Sequence, residues 1–411
     1  MKICKSKINL QPIFRIIVVF IVPLVLAGMG LMNCSAINTA AEEDLSPVPA
    51  AYQTEEYVNF LAGKKVGILA NQTSEVRGVH LIDTLLDLGV DVVKVFSPEH
   101  GFRGTADAGE AVSDYVDPAT GIPIISLYGN NYKPTLEQME GIEIMIFDVQ
   151  DVGVRFFTYL SSLHYLMEAC AETNTPLIIL DRPNPNGFYV DGPVLKEKHE
   201  SFIGLHPVPV VYGLTLGEFA GMINAEKWLK NGVKCPLTVI KCRNYTHDSI
   251  YHLPVKPSPN LPDMRSVYLY PSIALFEGTV VSEGRGTHAP FQVIGHPEYP
   301  DTAFSFTPKS IPGMSKYPKF RNQKCYGLDL RNISIEYLVD QREMQFGWLM
   351  KMYEKLAVDE FFIPFFDNLT GDARVRQAIV NGKDISEVSA LWKKELKDYL
   401  QLRKKYLLYP D

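Results

Sequence analysis

The chain has 411 residues, of which 46% are hydrophobic, and a formal net charge of −7 at neutral pH. This is ordinary globular composition, and the length suits two domains better than a single core. The mildly acidic balance argues against a nucleic-acid partner, because phosphate binding needs a concentrated basic surface.

The amino terminus is the most strongly biased segment, with lysines and Arg15 before an apolar run over 16–32. A basic start followed by an apolar run predicts an export signal over 1–34, with a polar linker over 35–55. The position of Cys34 resembles a lipoprotein signal, in which that cysteine becomes lipidated. A plain cleaved signal and a single membrane anchor are the alternatives, since the run is close to spanning length. All three predict an exported protein, either periplasmic or held in the cell envelope by an N-terminal anchor.

Short apolar runs alternate with helical periodicity from about residue 64. The runs predict strands at 66–71, 90–97, 122–128, 142–149, 176–181 and 237–241. The periodic segments predict helices at 80–88, 134–140, 159–173 and 215–230. Strands that alternate with helices indicate an α/β domain, here over 56–245, with a parallel sheet covered by helices on both faces.

The character of the chain changes after about residue 245. Three prolines within 255–262 exclude regular structure there, and the chain stays rich in proline, glycine and aromatic residues up to about 325. Helices are predicted at 341–358, 372–381 and 385–407. These features predict a smaller α+β domain over 246–411.

Polar residues gather at the ends of five predicted strands. Open parallel sheets bind ligands at the carboxyl ends of their strands, where loops and helix N-termini converge. One or two such residues would be routine, but five consecutive polar loops predict a binding site. The segments are Asn71-Gln72-Thr73, Glu99 to Arg103, Tyr128 to Asn131, Asp148 to Arg155, and Asp181 to Asn184.

The motifs of several enzyme classes do not occur at these loops. The first strand has no GxGxxG turn, which disfavours a dinucleotide, and we expect no cofactor. No GxSxG elbow is present, which disfavours serine hydrolase chemistry. No HExxH motif or helical His pair is present, so we expect no metal. The remaining carboxylates, arginines and aromatic residues are typical of glycosidases.

Several of these residues also have structural interpretations. Asp148 ends an apolar strand and could be a functional acid or the partner of an arginine, and Asp151 could cap the following helix. Ion pairing with Asp148 or Asp181 is the favoured interpretation for at least one of Arg155 and Arg182.

A second conspicuous segment, 277–287, lies in the predicted smaller domain. Glycines on both sides of Arg285 allow close approach of the backbone to a ligand. Glu283 and Arg285 would then offer a carboxylate and a guanidinium from one tight loop, unless the segment is only a surface turn.

Six motifs together resemble the NamZ-type exo-β-N-acetylmuramidases, a family long catalogued as a domain of unknown function. They are SPEHGFRG (97–104), FDVQDVGVRFFTY (147–159), DRPNPNG (181–187), VYGLTLGEFA (211–220), PSPNLP (257–262) and EGTVVSEGRGTHAPF (277–291). The resemblance runs from about residue 60 to the C-terminus. It implies a Rossmann-like catalytic domain packed on a smaller C-terminal domain, with the active site between them. It also implies release of N-acetylmuramic acid from the non-reducing ends of peptidoglycan glycans.

The resemblance also implies catalytic roles. Acetal hydrolysis needs an acid to protonate the leaving oxygen and a second group to support the oxocarbenium-like centre or activate water. Glu99 is the expected general acid/base, with His100 positioning it or binding a hydroxyl. Glu283 is the expected second carboxylate, with Asp148 and Asp151 as further candidates. Assistance by the acetamido group of the substrate is an open alternative.

Substrate contacts follow from the same resemblance. The lactyl carboxylate that distinguishes N-acetylmuramic acid from N-acetylglucosamine would bind an arginine, with Arg103, Arg155, Arg182 and Arg285 as candidates. Candidates to bind hydroxyls are Asn71, Tyr128, Asn184 and Asn260. Phe102 or Tyr159 could stack on the sugar. We therefore expect Glu99 and the 283–287 turn to face each other across a sugar-sized groove.

The expected partner is a peptidoglycan-derived oligosaccharide or muropeptide. The alternative function is a non-catalytic muropeptide-binding envelope lipoprotein, which would use the same arginines without an acid/base pair. Hydrolysis of another bond would require a metal or an activated nucleophile.

Overall fold

The computed structural model describes residues 45–99, 101–102, 113–129 and 131–411. The strands of these ranges are β1 (Lys65–Ala70), β2 (Glu75–Val76), β3 (Val79–His80), β4 (Asp91–Ser97), β5 (Tyr115–Val116), β6 (Pro123–Ser126), β7 (Ile144–Asp148), β8 (Leu177–Leu180), β9 (Leu237–Ile240), β10 (Val293–His296), β11 (Ser305–Phe306) and β12 (Cys325–Asp329). The α-helices are α1 (Thr54–Leu61), α2 (Leu81–Asp87), α3 (Leu136–Met139), α4 (Tyr159–Thr173), α5 (Leu216–Ala225), α6 (Met264–Ile273), α7 (Ile335–Gln341), α8 (Gly347–Lys355), α9 (Phe365–Thr370), α10 (Ala373–Val380), α11 (Ile385–Ala390) and α12 (Lys393–Arg403).

Seven strands form one sheet in the order β5-β6-β4-β1-β7-β8-β9. All neighbouring pairs are parallel except β5 and β6. Without the edge strand β5, the strands follow chain order third, second, first, fourth, fifth, sixth, which is the Rossmann order. The predicted Rossmann-like α/β class is confirmed.

The central strands are recognisable in sequence because both of their faces are buried. Every residue of β7 and of β8 is buried, and Asp148 is the one charged residue among them. Helices cover both faces of a parallel sheet, so its strands read as continuous apolar runs rather than as an alternating pattern. All six predicted strands are present, with ends shifted by a few residues.

A smaller C-terminal part contains the antiparallel sheet β10-β12-β11 and helices α7 to α12. It shares a hydrophobic core with the larger sheet, since Leu163 of α4 and Phe366 of α9 belong to one buried cluster. The chain also returns to the larger sheet at its end, where the Tyr409 hydroxyl donates to Asp181 Oδ2 at 2.6 Å. Residues 45–411 form one unit, and the predicted boundary after residue 245 stays a prediction.

The helix predictions differ from the structure at several places, and helices α1, α7 and α9 were not predicted. Helix α6 was not predicted, because Pro271 lies inside it and the segment before it is proline-rich. The helix predicted over 341–358 begins only at Gly347, since Arg342 adopts a left-handed conformation (φ 48°) that ends α7. The single helix predicted over 385–407 is two helices, with Trp392 between them packed on Phe346.

The predicted export signal, including Cys34, lies outside the described residues. Between residues 45 and 411, no described helix combines the length and the hydrophobicity that a bilayer span requires.

Candidate active site

A cleft lies at the carboxyl ends of β4, β6 and β7. The space between its walls is about 610 Å³ when the open solvent at its mouth is included. Residues from the larger sheet that line it include Glu99, Tyr128 and Thr158. Asn260, Tyr270, Glu277 and Arg285 line it from later in the chain. The predicted acid and the predicted turn at Arg285 therefore share one cleft.

Glu99 follows β4 directly and is held by two hydroxyl groups. The Thr158 hydroxyl donates to Glu99 Oε2 at 2.8 Å. Tyr128, which follows β6, also hydrogen bonds to Glu99. Burial and the nearby Glu99 carboxylate raise the pKa of Tyr128, so its hydroxyl keeps its proton. These bonds fix the Glu99 carboxyl group at the cleft wall.

Arg285 enters the cleft from a tight turn between two glycines. Gly284 and Gly286 have φ values of 84° and 78°, which disfavour other residues, and a Cβ on Gly286 would lie 2.5 Å from Pro318. The Arg285 Nε and Nη2 atoms lie 2.7 and 2.6 Å from Glu277 Oε1. Within the described residues, Arg285 Nη1 has no hydrogen-bond partner. Glu277 therefore occupies only one edge of the guanidinium, and the Nη1 donor is buried without a partner among the described residues.

Glu277, rather than Glu283, is the second carboxylate on the cleft wall. Glu283 is 3% exposed and lies behind Arg285, with its Oε2 atom 3.2 Å from Lys319 Nζ and its Oε1 atom 3.7 Å from Arg285 Nε. Glu283 does not line the cleft formed by the described residues. The geometry therefore favours Glu277 as the second acid, and the catalytic role expected for Glu283 stays a prediction.

Burial and neighbouring charges shift the pKa values of Glu277 and Arg285. Burial raises the pKa of Glu277 above its usual value; Arg285 opposes this rise, and the nearby Glu283 adds to it. Burial lowers the pKa of Arg285, but Glu277 and Glu283 outweigh it and raise the pKa above its usual value. Arg285 therefore stays a cation at every physiological pH.

Asn260 presents a buried acceptor to the cleft. Its Nδ2 atom donates to the Met314 carbonyl at 2.7 Å, and its backbone N–H donates to Ser258 Oγ at 3.2 Å. Its Oδ1 atom is buried and finds no partner among the residues the structure describes. Buried polar atoms are nearly always paired, so this carbonyl is suited to an N–H or hydroxyl group of a ligand.

Asp148 and Arg182 pair with each other instead of lining the cleft. The Arg182 Nε and Nη2 atoms lie 2.6 and 2.9 Å from the two carboxylate oxygens of Asp148, and both side chains are buried. Asp148 ends β7, beside the point where the strand order reverses. In other Rossmann sheets the crevice at this position binds dinucleotides. The ion pair is the structural interpretation that the sequence left open for Arg182.

Arg155 and Asn184 also have structural partners. Arg155 donates to four backbone carbonyls, of Pro193, Val208, Leu369 and Thr370, at 2.7 to 2.9 Å. Burial lowers the pKa of Arg155 to about 9. Asn184 Nδ2 donates to the Leu214 carbonyl at 2.9 Å. Arg155 therefore ties α9 to the larger sheet instead of binding a carboxylate.

The remaining predicted residues support the cleft from behind. Asn71 Nδ2 donates to the Tyr159 hydroxyl at 2.8 Å, and Tyr159 donates to the Pro257 carbonyl at 3.2 Å. This chain of hydrogen bonds anchors the loop that carries Asn260. Phe102 is buried and packs edge-on against His80, with ring centroids 4.8 Å apart. Neither Phe102 nor Tyr159 is placed to stack on a ligand in the cleft, and His100 and Arg103 lie outside the described residues.

Asp151 is buried below the loop that leads to α4. Its Oδ2 atom accepts from the Gly153 N–H at 2.6 Å and from the Tyr212 hydroxyl. Its Oδ1 atom is buried without a partner among the described residues. Burial raises the pKa of Asp151 to about 7, although the Tyr212 and Gly153 hydrogen bonds lower it. Asp151 does not line the cleft. Its protonation is therefore expected to change the stability of the fold rather than the chemistry in the cleft.

The Asp151→Asn variant is expected to become more stable relative to the wild type as the pH rises from about 4 to about 7. An unfolded Asp titrates near 3.9, so the folded protein holds this proton more tightly. The stability that the proton contributes is complete below about pH 4 and is lost as the pH rises through about 7, by up to about 1.4 kcal/mol per pH unit. The Asn amide keeps an acceptor for Gly153 and does not titrate.

Urea unfolding of both proteins at several pH values checks this expectation. The exposed Asp359→Asn variant is the control, because it removes a surface carboxylate without touching the buried site. A constant difference for Asp151→Asn over the same range would contradict the assigned pKa.

The sheet order and the cleft define an α/β protein with a Rossmann-like sheet and a cleft that carries two carboxylates and an arginine, which suits a glycoside hydrolase. The chain belongs to the NamZ family: the family model "Exo-beta-N-acetylmuramidase NamZ, N-terminal" matches residues 66–265, and the corresponding C-terminal model matches residues 268–409. The peptidoglycan β-N-acetylmuramidase NamZ of Bacillus subtilis is 34% identical over 385 residues, covering 86% of this chain and 89% of that protein.

Two crystal structures of DUF1343 family proteins from Bacteroides fragilis resemble this chain. One has a TM-score of 0.83 at 47% identity, and the other has a TM-score of 0.71 at 28% identity. Each alignment covers 89% of this chain and 99% of the other. The predicted family and fold are therefore confirmed over almost all of the described chain.

Proposed function

We propose that this chain hydrolyses the β-glycosidic bond of N-acetylmuramic acid at the non-reducing end of peptidoglycan fragments, in turnover of the cell wall. The observation that supports this most directly is the shared cleft of Glu99 and Arg285. They provide an acid and a cation at one sugar-sized site, in a chain of the NamZ family. A muropeptide-binding protein would need the cation but not the held acid.

Glu99 acts as the general acid. It gives its proton to the glycosidic oxygen as the bond from that oxygen to the anomeric carbon breaks. Thr158 and Tyr128 hold the carboxyl group during this step. Glu277 is the carboxylate placed to support the positive charge that develops at the anomeric carbon, alone or with the acetamido group of the substrate. Water supplies the hydroxyl group of the product and returns a proton to Glu99.

Arg285 and Asn260 make the cleft selective for N-acetylmuramic acid. The free edge of the Arg285 guanidinium binds the lactyl carboxylate, which is the group that N-acetylglucosamine lacks. The unpaired Asn260 carbonyl accepts from the acetamido N–H or from a hydroxyl of the same sugar. These contacts favour N-acetylmuramic acid over N-acetylglucosamine.

Release of free N-acetylmuramic acid from defined disaccharides tests the proposed function. The purified enzyme should release it from the disaccharide with N-acetylmuramic acid at the non-reducing end. The disaccharide with the two sugars in the opposite order is the control and should not be cleaved. Binding of the first disaccharide without turnover would instead support the non-catalytic alternative.

We further propose that residues 1–34 direct export and that Cys34 is lipidated, which would hold the enzyme in the cell envelope. The support is the basic start, the apolar run and the position of Cys34 at its end. In bacteria fed a labelled fatty acid, the full-length chain should take up the label, and the Cys34→Ala variant should not. Equal labelling of the two proteins, or labelling of neither, would rule out lipidation at Cys34.

A further inference from the structure

Three aromatic rings with nearly parallel planes lie next to the cleft. Tyr132 and Phe202 are stacked with ring centroids 4.0 Å apart, and Tyr165 lies nearly parallel to both at 6.4 and 6.3 Å. All three residues are only partly buried. We call Tyr132, Tyr165 and Phe202 the aromatic platform.

The platform is held in place from three separate segments. Next to Tyr132, the Lys133 Nζ atom lies 2.7 Å from a Glu172 carboxylate oxygen and 3.3 Å from one of Glu168, both on α4. Tyr165 is itself on α4. Phe202 lies in a tight turn, where the backbone groups of Ser201 and Gly204 exchange hydrogen bonds of 3.0 and 2.9 Å. A rigid set of partly exposed rings is suited to binding an apolar surface.

Tyr128 connects the platform to the acid. Its ring lies 6.0 Å from both Tyr132 and Phe202, in edge-to-face contacts, and its hydroxyl bonds to Glu99. Phe202 and Tyr128 line the cleft. The platform therefore extends the cleft outward on the side where Tyr128 meets Glu99.

Arg285 belongs to a different group of rings. Its guanidinium lies 5.0 Å from the Phe291 ring centre, and Phe291 packs edge-on against Tyr270 at 4.9 Å. Arg285, which is assigned to the lactyl group of N-acetylmuramic acid, therefore lies beside Phe291 and Tyr270 and not beside the platform. In a glycosidase the general acid protonates the oxygen between the two sugars, so the leaving sugar lies beyond it.

We propose that the aromatic platform is the subsite for the sugar on the leaving side of the scissile bond, a β-linked hexosamine pyranose. The C–H groups on one face of that ring pack on the platform, while its hydroxyl and acetamido groups remain in water. This inference rests on the proposed function and adds a second sugar-binding position to it. It makes the enzyme more efficient on glycan fragments than on muramides without a second sugar.

Two substrates distinguish binding at the platform from chemistry at the catalytic site. The disaccharide with terminal N-acetylmuramic acid places a sugar on the platform. β-N-acetylmuramyl fluoride leaves the platform empty, and its leaving group needs little protonation. The readout is the ratio of kcat/KM for the disaccharide to kcat/KM for the fluoride.

Tyr132→Leu and Tyr165→Leu should each lower this ratio roughly tenfold, mainly through a higher KM for the disaccharide. Leucine keeps the apolar volume and removes the flat ring. Phe60→Ala is the matched control, because Phe60 is a half-exposed aromatic residue on α1, before the amino end of β1. Its ratio should equal that of the wild type.

An unchanged ratio in both tyrosine variants would overturn the subsite. Equal losses on the two substrates would also overturn it, because they would assign the rings to packing of the fold. Failure of the wild type to cleave either substrate would instead show that the proposed function is wrong, and the inference would fall with it.

Discussion

The Glu99→Gln variant is expected to lose roughly 10³-fold in kcat on a natural disaccharide while keeping the stability of the wild type. Glutamine keeps the size of the side chain and an oxygen that accepts from the Thr158 hydroxyl. It cannot give a proton to the leaving oxygen. The fold should not change, because Glu99 lies at the cleft wall and not in the hydrophobic core.

The chemical role of Glu99 can be separated from a structural one by the choice of leaving group. Cleavage of a muramyl fluoride needs little protonation, so the variant should retain far more activity on it than on the disaccharide. Glu137→Gln, at an exposed position on α3, is the matched control and should behave as the wild type on both. Full activity of Glu99→Gln on the disaccharide would contradict the assignment.

The Arg285→Lys variant is expected to lose most of the preference for the lactyl-bearing sugar. Lysine keeps the charge but not the planar pair of donors that binds a carboxylate, and it cannot hold Glu277 and a ligand at once. We expect a fall of roughly 100-fold in kcat/KM on muramides. Inhibition by N-acetylmuramic acid should weaken by a similar factor, whereas inhibition by N-acetylglucosamine should change little.

The two inhibition constants provide a readout that general damage to the site would not reproduce. Arg331→Lys is the control, because Arg331 is an exposed arginine paired with Asp329, outside the cleft. If Arg285→Lys weakened inhibition by the two sugars equally, Arg285 would position Glu277 and would not bind the lactyl group.

Much of the fold could be predicted because the central strands are buried on both faces. Short elements such as β2, β3 and β5 were missed, since two-residue strands leave no periodic pattern. Helix α6 was missed for a different reason. Asp263 caps it through a capping box with Ser266, and this local stabilisation, together with packing, outweighs the cost of Pro271.

The candidate site could be predicted only in part, because a sequence does not show which polar residues pair with each other. Glu99, Tyr128, Asn260 and Arg285 reach the cleft as expected. Asp148 and Arg182, by contrast, form an ion pair with each other and do not line the cleft. Their positions at strand ends looked the same in sequence as that of Glu99.

Glu277 was missed although the sequence carries a signal for it. It follows the wholly buried apolar run 273–276, just as Asp148 ends an apolar strand. A single acid after such a run must be paired or functional. The glycines around Arg285 instead drew attention to Glu283, which is the nearer carboxylate in sequence and lies behind the cleft.

The most direct test of the central claim is a crystal structure of the Glu99→Gln variant with an uncleaved disaccharide that carries N-acetylmuramic acid at its non-reducing end. We predict that the glycosidic oxygen lies within hydrogen-bond distance of the side chain at position 99 and that the lactyl carboxylate contacts the guanidinium of Arg285. A disaccharide bound outside this cleft, or a lactyl group held by another residue, would contradict the account.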